Sequence, residues 1–328
     1  MRVRLSNNQY LKNNKIMDQI SSIVEKELSI WNSLSMKEKS EDNLKRLESY
    51  IVPFDKLAET PFKPATAEKY TVIFLHIPKT GGTTIEYLLA KNYKINGVIH
   101  INAPALNKNP FALFKKGDLP HVIMGHYKTS HLLYRFIDRP LVHFTMLRDP
   151  VKRVLSYFDY LQTSPNHGLY EKASKRSLEE FINGNDMVEL SNAQTLRLAG
   201  RLSHTPLRPW EIQECFEVAK ESLQKRFSLV GLTERYPEFM LMAQRTLGWS
   251  DIFHEYRNIS KKKTQIEDIP SSILERIRER NAYDIELYKF ATEIFQKRCL
   301  QLSIDETTVE KFKQKNYSYQ QLINSDRV

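Results

Sequence analysis

The sequence predicts an α/β fold in which a parallel central sheet is flanked by helices and preceded by a helical N-terminal extension. Three observations predict it. Short apolar, β-rich runs alternate with segments of helical periodicity, a glycine-containing loop joins the first run to a helix, and residues 1–50 carry apolar side chains at roughly helical spacing. Alternating strands and helices are typical of a parallel sheet covered by helices.

The N-terminal segment differs in character from the rest of the chain. Its helical pattern ends before three prolines between positions 53 and 64, which indicate an extended connector. We therefore divide the chain into an extension and connector, residues 1–66, and a main domain, residues 67–328. We interpret the extension as a packing or oligomerisation element, so a homo-oligomer formed through these helices is an expectation.

The main domain begins with a predicted strand at residues 71–77, which is short, apolar and β-rich, as expected of a buried parallel strand. A helix follows, because apolar residues recur at i, i+3 and i+4 from Ile85. The stretch 271–302 is predicted to form one or two long helices. Further strands are predicted at residues 98–101, 121–124, 141–147 and 228–232.

Composition limits the classes of partner. The chain has 328 residues, and its excess of Lys+Arg (49) over Asp+Glu (39) gives a net charge of +10, which attracts polyanions without selecting among them. Basic stretches interleaved with aromatic residues are absent, so nucleic acid is not an expected partner. Two cysteines indicate a reducing compartment. The sequence shows no apolar run of signal-peptide or transmembrane length, so we expect a cytoplasmic protein without a membrane span.

The loop after the first strand predicts an anion site. Its sequence is Pro78-Lys79-Thr80-Gly81-Gly82-Thr83-Thr84. The glycines let the backbone approach a bound group, and the free N–H groups at the start of the next helix attract anions. A Walker A loop needs Gly-Lys-Ser/Thr at its end, with the hydroxyl on Mg²⁺. Here the lysine precedes the glycines, so a kinase or ATPase is disfavoured and no metal is expected.

A second predicted strand-to-helix junction lies within residues 145–157. Asp149 suits a helix N-cap and Pro150 the first helical position. Arg148 is left at the end of the strand, where ligands collect in parallel sheets, and Ser156 lies about two turns into the helix. Taken without the first loop, the pattern is equally consistent with a structural role and with a ligand-binding role for Arg148.

Together the two segments resemble a known family. Residues 74–84 are similar to the 5′-phosphosulfate-binding loop of sulfotransferases related to heparan sulfate 2-O- and 6-O-sulfotransferases, and residues 148–158 resemble the 3′-phosphate site of that family. The resemblance covers roughly residues 70–295 and is closest in character to bacterial-type members, because no anchor is visible. It implies a fold of the P-loop nucleotide-binding type. It also implies the donor 3′-phosphoadenosine 5′-phosphosulfate (PAPS), with adenosine 3′,5′-bisphosphate (PAP) as product.

The resemblance also implies roles for individual residues. Lys79 would contact the bridging oxygen between phosphate and sulfate and act as the electrostatic catalyst. Arg148 and Ser156 would bind the 3′-phosphate, whereas Arg153 either joins them or pairs with carboxylates nearby. The residues implied to bind PAPS are Lys79, Thr80, Gly81, Gly82, Thr83, Thr84, Arg148 and Ser156.

His126 is the predicted general base. Sulfuryl transfer to a hydroxyl needs a group that takes the hydroxyl proton, and histidine titrates near neutrality. Gly125 and His126 follow the predicted strand 121–124 and should emerge at the same sheet edge as the loop. This pair also resembles the catalytic-histidine segment of heparan sulfate 2-O-sulfotransferases. The rivals are His76, which is expected to pack or bond within its strand, His100, and, less favoured, the acidic Glu86.

Two weaker matches complete the prediction. Residues 192–200 resemble a segment of bacterial members, in which Gln194 and Arg197 either face a ligand or form a packed turn. Residues 256–258 and 261–263 are basic enough to form a lid over phosphates or a track for an acidic acceptor.

The resemblance therefore implies an enzyme that transfers a sulfuryl group from PAPS to an acceptor hydroxyl. A carbohydrate is the favoured acceptor, and the net charge of +10 suits an acidic glycan. A lipid, a small metabolite or a protein tyrosine stays open as the acceptor. Two alternatives from other classes also stay open, namely a nucleotide-binding or scaffold protein without catalysis and an ATP-dependent small-molecule kinase.

Overall fold

The computed structural model describes residues 7–62, 69–93, 98–101, 121–255 and 264–325. Five strands form one sheet in which every pairing is parallel. The strands are β1 (Thr71–Leu75), β2 (Val98–Ile101), β3 (Val122–Gly125), β4 (Leu141–Leu147) and β5 (Leu229–Leu232). Their spatial order is β2-β3-β1-β4-β5. The predicted α/β fold with a parallel central sheet is confirmed, and each predicted strand is present to within two residues at either end.

Helices flank this sheet and connect its strands. They are α1 (Asn7–Ser33), α2 (Met36–Tyr50), α3 (Phe54–Glu59), α4 (Gly82–Tyr93), α5 (Pro150–Gln162), α6 (Tyr170–Ala173), α7 (Leu178–Asn183), α8 (Ala193–Leu198), α9 (Pro209–Lys225), α10 (Tyr236–Leu247), α11 (Ser271–Arg280), α12 (Ala282–Gln301) and α13 (Glu306–Ser325). The helices predicted after β1 and over 271–302 are confirmed, the latter as α11 and α12, and those predicted for residues 1–50 are confirmed over the described part, from Asn7 onwards. Helix α13 was not predicted. Its buried residues are Val309, Phe312 and Asn316, so the sequence carries only a weak apolar pattern over this helix.

The two central strands are buried along their whole length. Every residue of β1 and β4 is inaccessible to solvent, as expected of parallel strands covered on both faces. Phe74 of β1 stacks on Phe144 of β4 with ring centroids 5.0 Å apart, and Trp249 meets Phe144 edge-on at 6.2 Å. This core fixes the level at which the two strands end.

Part of the N-terminal extension packs on the same core. Helix α2 begins with a capping box formed by Ser35 and Glu38, and it buries Leu44 and Leu47 in the main hydrophobic cluster. The amide of Asn43 donates hydrogen bonds to the carbonyl oxygens of Thr129 and His131, both at 2.9 Å. The boundary after residue 66 and the oligomerisation role of the extension stay predictions.

The strand order places a crevice at one edge of the sheet. The chain leaving β1 crosses to β2 on one side, whereas the chain leaving β4 continues to β5 on the other. Parallel sheets bind ligands beyond the carboxyl ends of strands whose connections diverge in this way. None of the described helices is both long and apolar enough to cross a membrane.

Gly231 provides a test of how closely β5 packs against its neighbours in the core. A Cβ atom at this position would lie 2.2 Å from Met146 Sδ and 2.5 Å from Phe239 Cδ2. We expect Gly231→Ala to lower the free energy of unfolding by about 1–3 kcal/mol, because overpacking forces buried neighbours to move. Urea unfolding measures the change. Gly168→Ala, whose Cβ would have no atom within 4 Å, is the matched control. Equal stability of the two variants would contradict this packing of β5.

Candidate functional site

A cavity of about 870 Å³ opens at the carboxyl ends of β1 and β4. Its walls come from the loop after β1, from α5, from the segment after β3 and from residues 264–267. The predicted site residues that line it are Lys79, Gly81, Gly82, Thr83, His126, Arg148 and Ser156. Two segments far apart in the sequence thus meet at the crevice that the strand order creates.

The loop after β1 is held in a fixed, tightly turned shape. Lys79 and Gly81 both adopt left-handed backbone conformations, with φ of 69° and 80°. The hydroxyl of Thr80 donates to the carbonyl oxygen of Ile77 at 2.8 Å, and the hydroxyl of Thr233 bonds the Thr80 carbonyl at 2.8 Å. Because α4 begins at Gly82, the N–H groups of its first turn have no partner within the helix. The loop therefore has the backbone features of an anion site.

Gly82 is required by what lies beneath the loop. A Cβ atom on this residue would lie 2.2 Å from Cδ2 and Nε2 of His76. The loop backbone therefore rests directly on the imidazole ring.

Lys79 brings a positive charge to the cavity. Its ammonium nitrogen lies 4.2 Å from the centroid of the Tyr160 ring, which is a cation–π distance. Burial lowers the pKa of this ammonium to about 8; repulsion from Arg148 adds to the effect and attraction from Asp159 partly offsets it. The group is thus mostly protonated at neutral pH.

Arg148 is fixed through its backbone as well as its side chain. Its Nη1 donates to the carbonyl oxygen of Lys79 at 3.0 Å, which ties the second junction to the loop. Gln194 grips the Arg148 main chain, accepting from its N–H at 3.0 Å and donating to its carbonyl oxygen at 2.9 Å. Gln194 is 1% exposed, so it supports the cavity wall and does not face the cavity. Of the two residues weighed in this segment, Arg197 lines the cavity.

Helix α5 starts as predicted and turns two polar residues towards the cavity. The carboxylate of Asp149 accepts from the N–H of Lys152 at 2.9 Å, and Pro150 occupies the first turn. Lys152 and Ser156, one helical turn apart, both line the cavity. Lys152 was not predicted, although its i, i+4 spacing from Ser156 was a usable signal. Arg153 is fully buried and bonds the carboxylate of Glu189 at 3.1 Å, so it takes the pairing alternative.

His126 stands at the end of β3 with its ring exposed to the cavity. Its Nδ1 lies 2.9 Å from the carbonyl oxygen of His76. A carbonyl oxygen only accepts, so Nδ1 carries the proton and Nε2 keeps its lone pair. The protein packed around the rest of the ring lowers the pKa of His126 to about 4 through burial and, next, through repulsion from His76. The imidazole is therefore neutral at pH 7, as a proton acceptor must be.

The structure also locates the remaining sequence-based candidates. His76, expected to pack or bond within its strand, lies just beyond β1 and takes the packing alternative, because its ring stacks on Phe74 of β1 at 5.4 Å between centroids. Its Nδ1 is 2.8 Å from the carboxylate of Glu86 on α4. Thr80 and Thr84 are buried and do not line the cavity, and the Thr80 hydroxyl is used inside the loop. His100 contacts Glu86 and does not line the cavity. The predicted basic lid at 256–258 and 261–263 lies outside the described residues.

Two further contributions to the cavity were not predicted. Tyr160 provides the ring under Lys79, and the carboxylate of Asp159 anchors Thr264, accepting from its N–H at 3.1 Å and from its hydroxyl at 2.5 Å. The latter contact joins residues 105 positions apart, and no local pattern signals it.

Fold and cavity together define a protein with a cavity lined by Lys79, Arg148 and Lys152 at the carboxyl ends of a parallel sheet. A family model described as the Sulfotransferase family matches residues 64–291. The chain therefore belongs to the sulfotransferase family, and its resemblance to that family is confirmed.

Curated relatives are similar at low identity. Galactose-3-O-sulfotransferase 3 of Bos taurus is 24% identical over 263 residues, which cover 74% of this chain and 60% of that protein. Heparan sulfate 2-O-sulfotransferase 1 of Mus musculus is 23% identical over 259 residues, covering 70% of this chain and 71% of that protein. The same enzyme of Gallus gallus is 21% identical over 252 residues. The chain thus spans less than two thirds of the bovine relative.

The contact between Gly82 and the ring beneath it predicts the effect of a single methyl group. We expect Gly82→Ala to lower the free energy of unfolding by about 1–3 kcal/mol, because the new Cβ displaces either the loop or the His76 ring. Adding His76→Ala removes the ring, so the double variant should lose less stability from Gly82→Ala than the wild-type background does. Thermal denaturation of the four proteins measures this coupling. Additive effects would contradict the contact.

Proposed function

We propose that this protein transfers a sulfuryl group from PAPS to a hydroxyl group of a carbohydrate. The proposal rests on one observation: two cationic residues, Lys79 after β1 and Arg148 after β4, line the same cavity and are hydrogen-bonded to each other. PAPS is anionic at both its 5′ and 3′ ends. A donor with this charge pattern suits a cavity that has one cationic junction at each strand end.

The residues present fit such a donor. At the loop, the N–H groups from Gly81 to Thr83 and the ammonium of Lys79 would hold the 5′ end, and the missing side chain at Gly82 keeps the backbone close to the His76 ring. At the second junction, Arg148 and the adjacent turn of α5 would hold the 3′-phosphate through a guanidinium, the Ser156 hydroxyl and Lys152. Bound there, PAPS supplies an activated sulfuryl group, and PAP is the by-product.

The chain's own residues would do two things during the reaction. His126 accepts the proton of the acceptor hydroxyl at Nε2, while its Nδ1–H stays on the His76 carbonyl oxygen. Lys79 offsets the negative charge that develops beside the loop, where burial strengthens the electrostatic effect of its ammonium group.

The acceptor class rests on the relatives and on charge. The names of the bovine and murine relatives place their reactions on galactose and on heparan sulfate, both carbohydrates. The net charge of +10 favours an acidic acceptor, so an acidic glycan is the acceptor that we propose to test first.

Variants of the two residues test these roles. His126→Ala should reduce turnover by about 10²–10⁴-fold while PAP still binds, because it removes the proton acceptor and leaves the anion site intact. Lys79→Ala should reduce turnover and weaken PAP binding. A labelled-PAPS assay against mixed glycans and calorimetry with PAP measure the two effects. His204→Ala, an exposed histidine outside the cavity lining, is the control. Near-normal turnover of His126→Ala would refute the base, and binding of Mg²⁺-ATP in place of PAP would favour the kinase.

The pKa of Lys79 predicts how donor binding depends on pH. Below about pH 8 the ammonium is charged, and above it the charge is lost, so the affinity for PAP should fall as the pH rises through 8. In Lys79→Met, which carries no charge at this position, the same rise should have little effect. Calorimetric titrations between pH 6.5 and 9.5 make the comparison. Parallel pH dependence in both proteins would show that Lys79 does not bind the ligand's phosphates.

A further inference from the structure

Glu86 links two histidines beneath the phosphate loop. Its Oε1 lies 2.8 Å from Nδ1 of His76 and 3.3 Å from Nε2 of His100. Burial by itself would raise the pKa of this carboxyl, but hydrogen bonds from His100 and His76 outweigh burial and lower the pKa to about 2. Glu86 is therefore ionised, and since a carboxylate only accepts, the facing nitrogen of each ring carries a proton.

The His76 ring is held from several directions. Its Nδ1–H is fixed on Glu86, its Cδ2–Nε2 edge lies directly under the backbone of Gly82, and it stacks with Phe74 at 5.4 Å between centroids. The residue is 5% exposed, yet it borders the cavity. An apolar residue would fill this space at a lower desolvation cost than a histidine and a carboxylate, so the polar pair needs a different explanation.

The pair is in direct contact with the proposed base. The carbonyl oxygen of His76 accepts the Nδ1–H of His126 at 2.9 Å, and the two imidazole rings lie 4.2 Å apart between centroids. The tautomer of His126 therefore depends on where residue 76 holds its carbonyl group. The ring of the same residue, fixed by Glu86, packs against the His126 ring and holds it beside that carbonyl group.

We propose that Glu86 and His76 are positioning residues for the sulfuryl transfer. Glu86 fixes the orientation of the His76 ring, and His76 sets both the tautomer of His126 and the height of the loop at Gly82. This inference rests on the proposed function for its meaning in catalysis, but its geometry can be tested without turnover.

The charged and titratable groups that act on His126 come from four elements. They are His76 after β1, Glu86 on α4, Arg197 on α8 and Glu189 on the short helix 188–190. His76 and Arg197 lower the pKa of His126, whereas Glu86 raises it. Removal of the His76 ring should consequently move the protonation of His126 to higher pH.

Three variants separate positioning from packing. We expect His76→Gln to lower kcat about 10- to 100-fold, comparable to the loss of outer hydrogen-bond partners of metal-binding histidines, with PAP affinity close to that of the wild type. The acid limb of its pH profile should move to higher pH. Glu86→Gln should also lower kcat. His100→Gln is the matched control, because it also removes a partner of Glu86 but lies outside the cavity lining.

The outcomes are distinguishable. Unchanged kcat and an unchanged acid limb in His76→Gln, or a loss of kcat in His100→Gln as large as that in His76→Gln, would overturn the proposal. Melting curves show whether each variant folds. If His76→Gln does not fold, Glu86→Gln carries the test, and an unchanged kcat and acid limb in that variant overturn the proposal.

Nitrogen NMR of the imidazoles supplies a readout that needs no acceptor. In the wild type, His126 should be protonated at Nδ1 only. In Glu86→Gln both tautomers should be populated, and in His76→Gln the titration midpoint of His126 should rise. Identical spectra in all three proteins would refute the positioning pair. The expected spectra without any transferase activity in the wild type would refute the proposed function alone.

Discussion

The pairing of β1 with β4 is the constraint on which the site depends. In this register Leu75 lies opposite Thr145, and the Thr145 hydroxyl bonds the Leu75 carbonyl oxygen at 2.8 Å. Strand β1 therefore ends level with Thr145, two residues before the end of β4, and the segments that follow the two strands meet. Thr233, which follows β5, donates to the carbonyl oxygens of both Thr80 and Leu147 and so ties three strand exits together. A cation from each of two exits reaches one cavity because the backbone beneath is fixed in this way.

A buried group of charges supports the wall opposite the loop. Glu189 is held between Arg153 and Arg197; burial would raise its pKa, but the two guanidinium groups outweigh burial and keep the carboxyl ionised. Asp284 accepts the N–H groups of Gln194 and Thr195 at the start of α8. Removing one partner from such a group leaves a buried charge unpaired, which is costly. These charges hold α8 rigidly, and α8 in turn holds the main chain of the second junction.

The parts of the fold and site that could be predicted are those encoded locally. Buried parallel strands need continuous apolar runs, and the start of α5 needs a cap and a proline, so Asp149 and Pro150 marked its first residue in advance. The glycines marked the loop for a similar reason. The grip of Gln194 on Arg148 could not be predicted, because it joins residues 46 positions apart and depends on tertiary packing. The contact between His76 and Glu86 could not be predicted, because strand periodicity does not show which side chain of the next helix turns back onto the end of the strand.

The fit of the His76 ring under Gly82 also limits how such chains diverge. There is no room for a side chain at position 82 while the imidazole of His76 lies beneath it. A descendant that acquires any larger residue at position 82 must first, or at the same time, shrink the residue six places earlier. The sterically permitted residues at the two positions therefore depend on each other. The ring of His76 also packs against the ring of His126, so a change at position 82 that displaces His76 also alters the surroundings of the proposed base. The effects of substitutions at positions 76 and 82 are therefore coupled and do not simply add.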